Sequence, residues 1–428
     1  MTDAERSFAT ELGAAIDAAP GPTHAVLTAV DRLVAAGFEE LDETTAWSAP
    51  PPRWFVRRGG ALVAGLAAAD PRAGHRIVGA HTDSPTLRLK PRPDTGGAGA
   101  RQLGVEVYGG ALVNSWLDRD LGLSGVVGVV VGDDIEERPL LVDEPLLRIP
   151  QLAIHLDRAI NEKGLKLDRQ RHLVPVWGLG VAQEGDFRAF VADRLGCDPA
   201  AVAGWELSVH DVTPATLAGQ GEELLVSGRL DNLCSVFCGL EALIGRAGDA
   251  EAPSHHAVLC CFDHEEVGSV SATGAGGNLL PGLLRRRSRA DGLDADAHDA
   301  SLAASLCLSA DMAHATHPNY ADRHDPDHDI ALNGGPVIKT NANQRYATSP
   351  TGAAHVVSRC RELGLPFQEF VSRSDLPCGS TIGPVTAGQL GIPTVDVGIA
   401  QWAMHSSRET AGAGDPLRFT RLLRSFYA

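Results

Sequence analysis

Apolar and polar residues alternate along the chain in patterns that predict where helices and strands form. From Thr23 to Phe38 the apolar residues recur at helical spacing, and Gly37 near the end of this segment is suited to a helix C-cap. The short apolar runs WFVRRG and ALVAGLA then predict a β-hairpin, and HRIVGA, which begins at His75, predicts a buried strand. The first quarter of the chain therefore mixes helices and strands.

The pattern changes beyond Lys90. Pro91, Pro93 and the stretch TGGAGA predict a linker, and pieces such as QLGVEVYGG, SGVVGVVVGDD and RPLLVDE follow as short strands separated by Gly, Asp and Pro. This β-rich character persists to about Leu225, after which helix and strand patterns alternate again to the C-terminus.

These changes divide the chain into two predicted domains. The first is an α/β domain with a mixed central sheet flanked by helices, formed by residues 1–91 and 227–428. The second is an inserted β-rich domain formed by residues 92–226.

Charge and cysteine content narrow the classes of function. The 428 residues carry a formal charge of -17, from 54 acidic and 37 basic side chains, which disfavours nonspecific binding to nucleic acids or anionic membranes. No apolar stretch approaches the roughly 20 residues that cross a bilayer, and the first residues, MTDAERSFATELG, do not match a signal peptide. Eight cysteines without such a signal indicate reduced thiols. We therefore expect a cytoplasmic protein.

Two adjacent glutamates, Glu265 and Glu266, lie in the segment FDHEEVGS, directly after the apolar strand pattern HAVLCCF. Neighbouring side chains of an extended strand point to opposite faces, so both carboxylates share one site only where the strand ends and turns. One carboxylate is then free to bind a hard metal ion while the other takes a proton from the attacking water. The alternative is a pair of solvated surface glutamates.

Metal-binding side chains occur in five short segments where predicted strands end. In chain order these segments contain His81 with Asp83, Asp231, the glutamate doublet, Asp311 and His405. Open α/β sheets place their ligand sites at such strand ends. Two histidines, two aspartates and a glutamate suit a pair of divalent cations that share a bridging carboxylate, and zinc, manganese and cobalt all accept these ligands.

Other catalytic motifs fit less well. His264 and Glu265 imitate the start of HExxH, but Gly268 stands where the second histidine is required. The chain has no GxSxG nucleophile elbow and no P-loop. The segment CGSTIGP, from Cys378 to Pro384, is either a glycine-rich loop that shapes a pocket or the site of a cysteine nucleophile, and we favour the loop.

The motifs HTDSP, RIPQLAIHLDR, SGRLDN, DHEEVGS, SADMAHATHPNY, GPVIKTNANQRYA, CGSTIGP and QWAMHSSRE occur in this order over nearly the whole chain. With them the sequence closely resembles the aspartyl aminopeptidase family of di-zinc exopeptidases. The resemblance implies a zinc-peptidase type of α/β fold, two zinc ions per subunit and release of N-terminal Asp or Glu from peptides. It also implies that the inserted domain forms dimers and gates the substrate, and that the subunits assemble into a tetrahedral homododecamer.

The resemblance assigns the metal ligands residue by residue. Asp231 is implied to bridge the two ions. One ion is completed by Glu266 and His405, and the other by His81 and Asp311.

The resemblance also assigns three further roles near the metals. Glu265 is implied to be the general base, which takes a proton from the bridging water and delivers it to the leaving amine. Asp83 is implied to orient a ligand imidazole. His155, in the inserted domain, is implied to reach a neighbouring subunit's active site, either to stabilise the substrate carbonyl or as a zinc ligand. We favour the substrate role, because five ligands already serve both ions and catalytic zinc keeps positions open.

His314, Lys339 and Tyr346 match family positions that line the substrate pocket. In a strongly acidic protein, selectivity for an acidic N-terminal residue needs a local cation, and Lys339 supplies one. Two other functions remain as alternatives. One is an N-acyl amino acid amidohydrolase on the same fold, and the other is a scaffold built on an inactive peptidase fold, which is disfavoured because every ligand position is intact.

Overall fold

The structure, a computed structural model, describes all 428 residues. The helices are α1 Asp3–Asp17, α2 Pro22–Ala35, α3 Ile160–Lys163, α4 Asp186–Leu195, α5 Leu230–Ala247, α6 Leu279–Ala290, α7 Ala295–Ala303, α8 Pro350–Glu362, α9 Ile382–Leu390 and α10 Asp415–Phe426. The strands are β1 Glu39–Glu40, β2 Arg53–Arg58, β3 Ala61–Leu66, β4 His75–His81, β5 Thr86–Gly97, β6 Ala100–Tyr108, β7 Leu121–Val131, β8 Asp134–Leu147, β9 Val176–Leu179, β10 Val202–Asp211, β11 Thr216–Ala218, β12 Leu224–Ser227, β13 His256–Phe262, β14 Leu306–Ala310, β15 Ala313–His314, β16 Val337–Thr340, β17 Gln368–Val371, β18 Thr394–Gly398, β19 Ala400–Trp402 and β20 Glu409–Gly412.

Contacts divide the chain into two compact units. Unit 1 consists of residues 1–83, 215–404 and 409–428, and unit 2 consists of residues 84–214 and 405–408. The sequence pattern places the corresponding boundaries at 92 and 226.

Unit 1 is built on a nine-stranded mixed sheet with the order β1-β2-β3-β13-β4-β14-β18-β16-β17. The central strands β13, β4, β14 and β18 are parallel, as expected for strands that alternate with helices. The predicted hairpin is confirmed as the antiparallel pair β2 and β3. The predicted helix is confirmed as α2, and Gly37 adopts a positive φ of 79° just beyond its end. A smaller five-stranded sheet, β11-β12-β20-β19-β15, completes the unit.

Helices cover both faces of the central sheet, which explains why its strands are continuous apolar runs. Strand β4 shows this most simply, because all but one of its residues are buried. Val78 belongs to the apolar core that contains Leu240 of α5. Its neighbour Ile77 belongs to a separate core that contains Leu283 of α6. Polar residues at the ends of such strands are therefore the ones free to form a site.

Unit 2 is built on an antiparallel six-stranded sheet with the order β8-β7-β10-β5-β6-β9. Its core includes Phe187 and Val191 of α4. The predicted linker after Lys90 is wrong, because this segment lies in the β5–β6 hairpin. The two prolines sit where the register of the hairpin shifts, between Leu89 and Asp94, so neither is required to donate a ladder hydrogen bond.

No helix in the structure combines the length and the apolar character needed to cross a membrane.

Candidate metal centre

The site lies at the carboxyl ends of three neighbouring parallel strands of unit 1. His81 is the last residue of β4, the glutamate doublet follows β13, and Asp311 follows β14. Because β13 and β14 are the two neighbours of β4, these polar residues meet at one edge of the sheet. Crevices at this edge are where open α/β sheets bind their ligands.

His81 lies at the centre of the cluster and is 1% exposed. Its Nε2 is 3.3 Å from Asp231 Oδ1 and 3.5 Å from Asp311 Oδ1. Its Nδ1 is 3.0 Å from the carbonyl oxygen of Asp83 and 3.3 Å from Oδ1 of the same residue. A carbonyl oxygen only accepts, so we assign the proton to Nδ1. This tautomer leaves the lone pair of Nε2 directed at the two carboxylates.

Asp231 enters the site from the start of α5. The helix begins after Arg229, which has a positive φ of 59°, and Asp231 itself has non-helical backbone angles. Its N–H donates to Glu409 Oε2 at 3.0 Å. Glu409 is 1% exposed and lies in the smaller sheet of unit 1. One buried carboxylate therefore fixes the backbone that carries another.

The glutamate doublet occupies a tight turn whose backbone is held by Asp83. Glu265 and Glu266 form a short 3-10 turn with Val267, after His264 in the left-handed region at φ 61°. The N–H of Glu265 donates to Asp83 Oδ1 at 3.1 Å, and that of Glu266 donates to Asp83 Oδ2 at 3.1 Å. Both oxygens of one carboxylate thus fix the directions in which the two glutamates leave the chain.

Buried negative charge dominates the electrostatics of the site. Burial alone would lower the pKa of His81, but the surrounding aspartate carboxylates raise it well above its usual range. Burial raises the pKa of Glu265 to about 8, and the neighbouring carboxylates add to this effect while His81 opposes it. The geometry therefore favours a positive charge at His81 Nε2, supplied by a proton or by a metal ion.

The donor set fits a zinc-type cation. His81, Asp231 and Asp311 offer one atom each within a 4.8 Å span, and so do His81, Glu265 and Glu266. Imidazole nitrogen and carboxylate oxygen are both ordinary ligands of zinc. The histidine that both groups share already has its Nδ1 proton bound to a carbonyl, as metal-bound histidines almost always have.

Lys339, predicted to be a pocket cation, is 1% exposed and forms an ion pair beside the cluster. Its Nζ donates to Asp311 Oδ2 at 3.0 Å and to the carbonyl of Met312 at 3.1 Å. Burial alone would raise the pKa of the Asp311 carboxyl, but Lys339 and His81 hold it well below its usual range. The predicted pocket residue and a predicted metal ligand are thus in direct contact.

The two other predicted pocket residues lie beside Phe370, which pairs with Lys339 between β16 and β17. The ring of Tyr346 is centred 5.1 Å from Lys339 Nζ and 6.2 Å from the ring of Phe370. His314 is exposed, and its ring is 6.1 Å from that of Phe370. The structure therefore groups all three residues around one phenylalanine.

Two predicted site residues belong to unit 2. His405 has a positive φ of 68°, and its Nδ1 is 3.2 Å from the carbonyl oxygen of Gly110. His155 is exposed, in a segment between β8 and α3.

Sequence reasoning missed two residues that support the site. Glu409, which binds the Asp231 backbone, stands in QWAMHSSRE with no pattern that marks it. The sequence marks His264 only as the start of an incomplete HExxH motif, yet its Nδ1 is 2.9 Å from Ser271 Oγ and 3.2 Å from Thr273 Oγ1. These contacts connect the doublet turn to the loop that follows it. The positive φ of His264 depends on three-dimensional context and has no local sequence signal.

Comparison with known sequences identifies relatives along the whole chain. The family model described as aminopeptidase I zinc metalloprotease (M18) matches residues 15–427. A Streptomyces coelicolor protein described as a probable M18 family aminopeptidase 2 is 49% identical over 428 residues, which cover 99% of this chain and 98% of the relative.

Solved structures agree with this result. A chain in the cryo-EM structure of the Ape4 and Nbr1 complex has a TM-score of 0.95 and 37% identity, over 99% of this chain and 86% of that chain. The S. cerevisiae mApe1 dodecamer gives a TM-score of 0.84 and 28% identity, over 99% and 98%. The predicted family and α/β fold class are confirmed, and the amidohydrolase alternative is not favoured. The chain therefore belongs to the peptidase family M18 and is a metal-dependent aminopeptidase of that family.

Proposed function

We propose that the protein releases N-terminal Asp or Glu from peptides by a di-zinc mechanism with Glu265 as the general base. The observation that carries the proposal is the arrangement around His81, whose Nε2 lies 3.3 Å and 3.5 Å from two buried carboxylate oxygens beside the glutamate doublet. A single proton cannot satisfy so many acidic groups, whereas two divalent ions nearly balance them.

Five residues are the proposed metal ligands. Asp231 would be shared by both ions, His81 and Asp311 would complete one, and Glu266 and His405 would complete the other. The distances within unit 1 support the first three assignments. His405 directly follows Met404 of unit 1 in sequence and is proposed on the family resemblance.

The residues of the chain have distinct tasks in the proposed reaction. Bound zinc polarises the scissile carbonyl and makes a water molecule more acidic. Glu265 takes a proton from the attacking water and delivers it to the leaving amine. Its pKa is raised to about 8 by burial, with further carboxylates nearby, so added positive charge would favour the ionised form that a base needs. Asp83 holds the backbone of Glu265 and so directs its carboxylate.

Substrate selection is proposed to depend on Lys339, with His314 and Tyr346 beside it. An N-terminal Asp or Glu side chain is matched by a buried ammonium group, because a charge is worth more where water is excluded. In a Lys339→Ala variant we expect the preference for Asp over Leu substrates to disappear. A variant that keeps this preference would refute the assignment.

Assembly is proposed to complete the site. The related S. cerevisiae mApe1 forms a dodecamer, and the exposed position of His155 suits a residue that acts in a neighbouring subunit of a dimer-based homododecamer. Its proposed task is to stabilise the substrate carbonyl. A verified monomer with full activity would contradict this role. A His155→Ala protein that assembles but loses zinc would instead make His155 a ligand. The cytoplasmic location remains a prediction.

The decisive experiment is a panel of peptides that differ only in the N-terminal residue, assayed with the metal-replete enzyme. We expect Asp and Glu to be released fastest. The same peptides with an acetylated N-terminus serve as the control, because an aminopeptidase needs the free amine and an N-acyl amidohydrolase does not. Faster cleavage of acetylated peptides would reject the proposal.

A further inference from the structure

Asp396 is a buried acidic residue in the middle of an apolar strand, TVDVG, and it takes no part in the proposed metal chemistry. It lies in β18 and is 0% exposed. In the antiparallel pair of β16 and β18 it stands directly opposite Lys339. Paired residues of an antiparallel sheet project their side chains on the same face, within about 5 Å at Cβ. Asp396 is therefore an immediate neighbour of the proposed pocket cation.

The polar atoms of Asp396 hold two separate pieces of chain. Its Oδ2 accepts the N–H of Ala347 at 2.5 Å, and its Oδ1 accepts the hydroxyl of Thr381 at 2.5 Å. Its own N–H donates to Thr348 Oγ1 at 2.9 Å, and that hydroxyl donates to the carbonyl of Lys339 at 2.6 Å. The carboxylate thus joins two separate loops to the strands of the central sheet.

Both loops border Lys339. Ala347 directly follows Tyr346, whose ring is centred 5.1 Å from Lys339 Nζ. Thr381 caps α9 and ends the exposed segment that contains Cys378. Cys378 packs against the apolar cluster that contains Tyr346, so the two loops also touch each other. Loss of the Asp396 carboxylate would remove one hydrogen bond from each of the two loops.

The same contacts explain a glycine in the motif CGSTIGP. A Cβ atom at Gly383 would lie 2.4 Å from Asp396 Oδ2, closer than real Cβ contacts allow. Glycine at this position lets the start of α9 approach the carboxylate. The motif that the sequence marked as a pocket-shaping loop is therefore built around Asp396.

We propose that Asp396 is a positioning residue that holds the Tyr346 turn and the Cys378–Thr381 loop against Lys339 and so determines how strongly the enzyme selects the N-terminal side chain of its substrate. This inference rests on the proposed function. It adds a selectivity determinant that does not touch the metals and acts through the two loops.

The test is the selectivity ratio, defined as kcat/KM for the best N-terminal residue of the parent enzyme divided by that for the poorest residue it cleaves. In Asp396→Ala we expect this ratio to fall at least tenfold, mainly through KM, with unchanged metal content. Asp396→Asn should recover much of the loss, because its amide oxygen still accepts from Ala347 and its NH2 group donates to the Thr381 hydroxyl.

Asp415 offers a matched control. It is also 0% exposed and accepts two backbone N–H groups, from Asn333 at 2.7 Å and Gly335 at 2.9 Å, at the start of α10. Asp415→Ala should lower the melting temperature and leave the ratio unchanged. An unchanged ratio in Asp396→Ala would overturn the inference, and so would equal losses on all substrates accompanied by loss of metal.

A milder pair of substitutions, at Thr381, covers the case in which Asp396→Ala does not fold. Thr381→Val removes one hydrogen bond to the carboxylate, whereas Thr381→Ser keeps it. We expect a lower ratio in the valine variant only, and equal ratios in both would overturn the inference. Failure of the proposed function is distinguishable, because it appears in the parent enzyme itself, as a peptide panel in which Asp and Glu are not released fastest.

Discussion

Strand β4 begins and ends with a buried histidine, and the two have opposite surroundings. His75 is 3% exposed, its ring is 5.0 Å from that of His256, and neither ring nitrogen has a hydrogen-bond partner. Burial lowers the pKa of His75 to about 3, and neighbouring histidines add to the effect. His81 is equally buried but is surrounded by aspartate carboxylates, which raise its pKa well above the usual range.

The difference between the two ends comes from the segments that follow neighbouring strands. β13 is parallel to β4, so His256 pairs with His75 at one edge of the sheet and Phe262 pairs with His81 at the other. The chain continues from Phe262 into the acidic turn of Glu265, whereas at the opposite edge the ring of His75 packs against that of His256. Residue type and burial alone therefore do not identify a functional histidine. The direction of the strands does, because it determines which loops meet.

The largest expected effect separates the two glutamates at the carboxyl edge. Glu265→Gln should lower kcat by 10³-fold or more with both metals retained, because a general base contributes about 10²–10⁴ and no other residue replaces it. Glu266→Gln should instead weaken the binding of one metal. Steady-state kinetics together with metal analysis of both proteins measure the difference.

The controls for this experiment come from the other edge of the sheet. His75→Gln should change neither kcat nor metal content, since His75 lies at the far end of β4. If Glu265→Gln and Glu266→Gln lose metal equally, the division of roles within the doublet is wrong.

Metal removal should destabilise the protein as well as inactivate it. A ligand at 100 to 1,000 times its Kd contributes about 3–4 kcal/mol to the stability of a folded protein. Chelation also leaves the carboxylates of Asp231, Asp311 and Glu265 close together, with their charge offset only in part by Lys339 and a protonated His81. We therefore expect a lower melting temperature in excess chelator, restored by zinc. The same decrease should occur in His75→Gln. An unchanged melting temperature and unchanged activity after exhaustive chelation would contradict the proposed metal centre.

Asp83 tests whether the backbone of the doublet needs a fixed direction. Asp83→Ala leaves the N–H groups of Glu265 and Glu266 without their acceptor and removes a carboxylate oxygen 3.3 Å from His81 Nδ1. Loss of partners that orient metal ligands typically costs about 10–100-fold in affinity or activity. We expect kcat/KM to fall within that range, and Asp83→Asn to fall less because its amide oxygen still accepts one N–H. Equal losses in both variants would argue against the hydrogen-bond role.

Local patterns predicted much of unit 1, because its strands are apolar runs that end in polar residues. The hairpin β2–β3 and the strands ending near His81, Glu265 and Asp311 were all visible in this way. Pro91 and Pro93 misled the prediction, since a register shift in a hairpin tolerates prolines that a regular ladder does not.

Other features depend on contacts that no local pattern encodes. Glu409 and Asp231 are 178 residues apart in sequence, so no pattern near either residue predicts their hydrogen bond. Asp396 has a recognisable sequence signal, because it is an acidic residue inside an apolar strand. Its partners Thr381 and Ala347 follow only from the three-dimensional fold. The boundaries of the contact units likewise follow the pairing of β5 with β10.

The smallest expected effect concerns the amino edge. The folded state keeps His75 neutral down to about pH 3, whereas the unfolded chain protonates it below about pH 6.5. The contribution of the neutral His75 to the free energy of unfolding is therefore fully present above about pH 6.5 and is lost as the pH falls towards 3. The loss is about 2 kcal/mol at pH 5. Metal-free parent and His75→Leu proteins should be compared at pH 7 and pH 5, because metal release would otherwise contribute. The parent should lose more stability than the variant between pH 7 and pH 5. Equal losses would mean that the buried His75 is not the cause of the decrease.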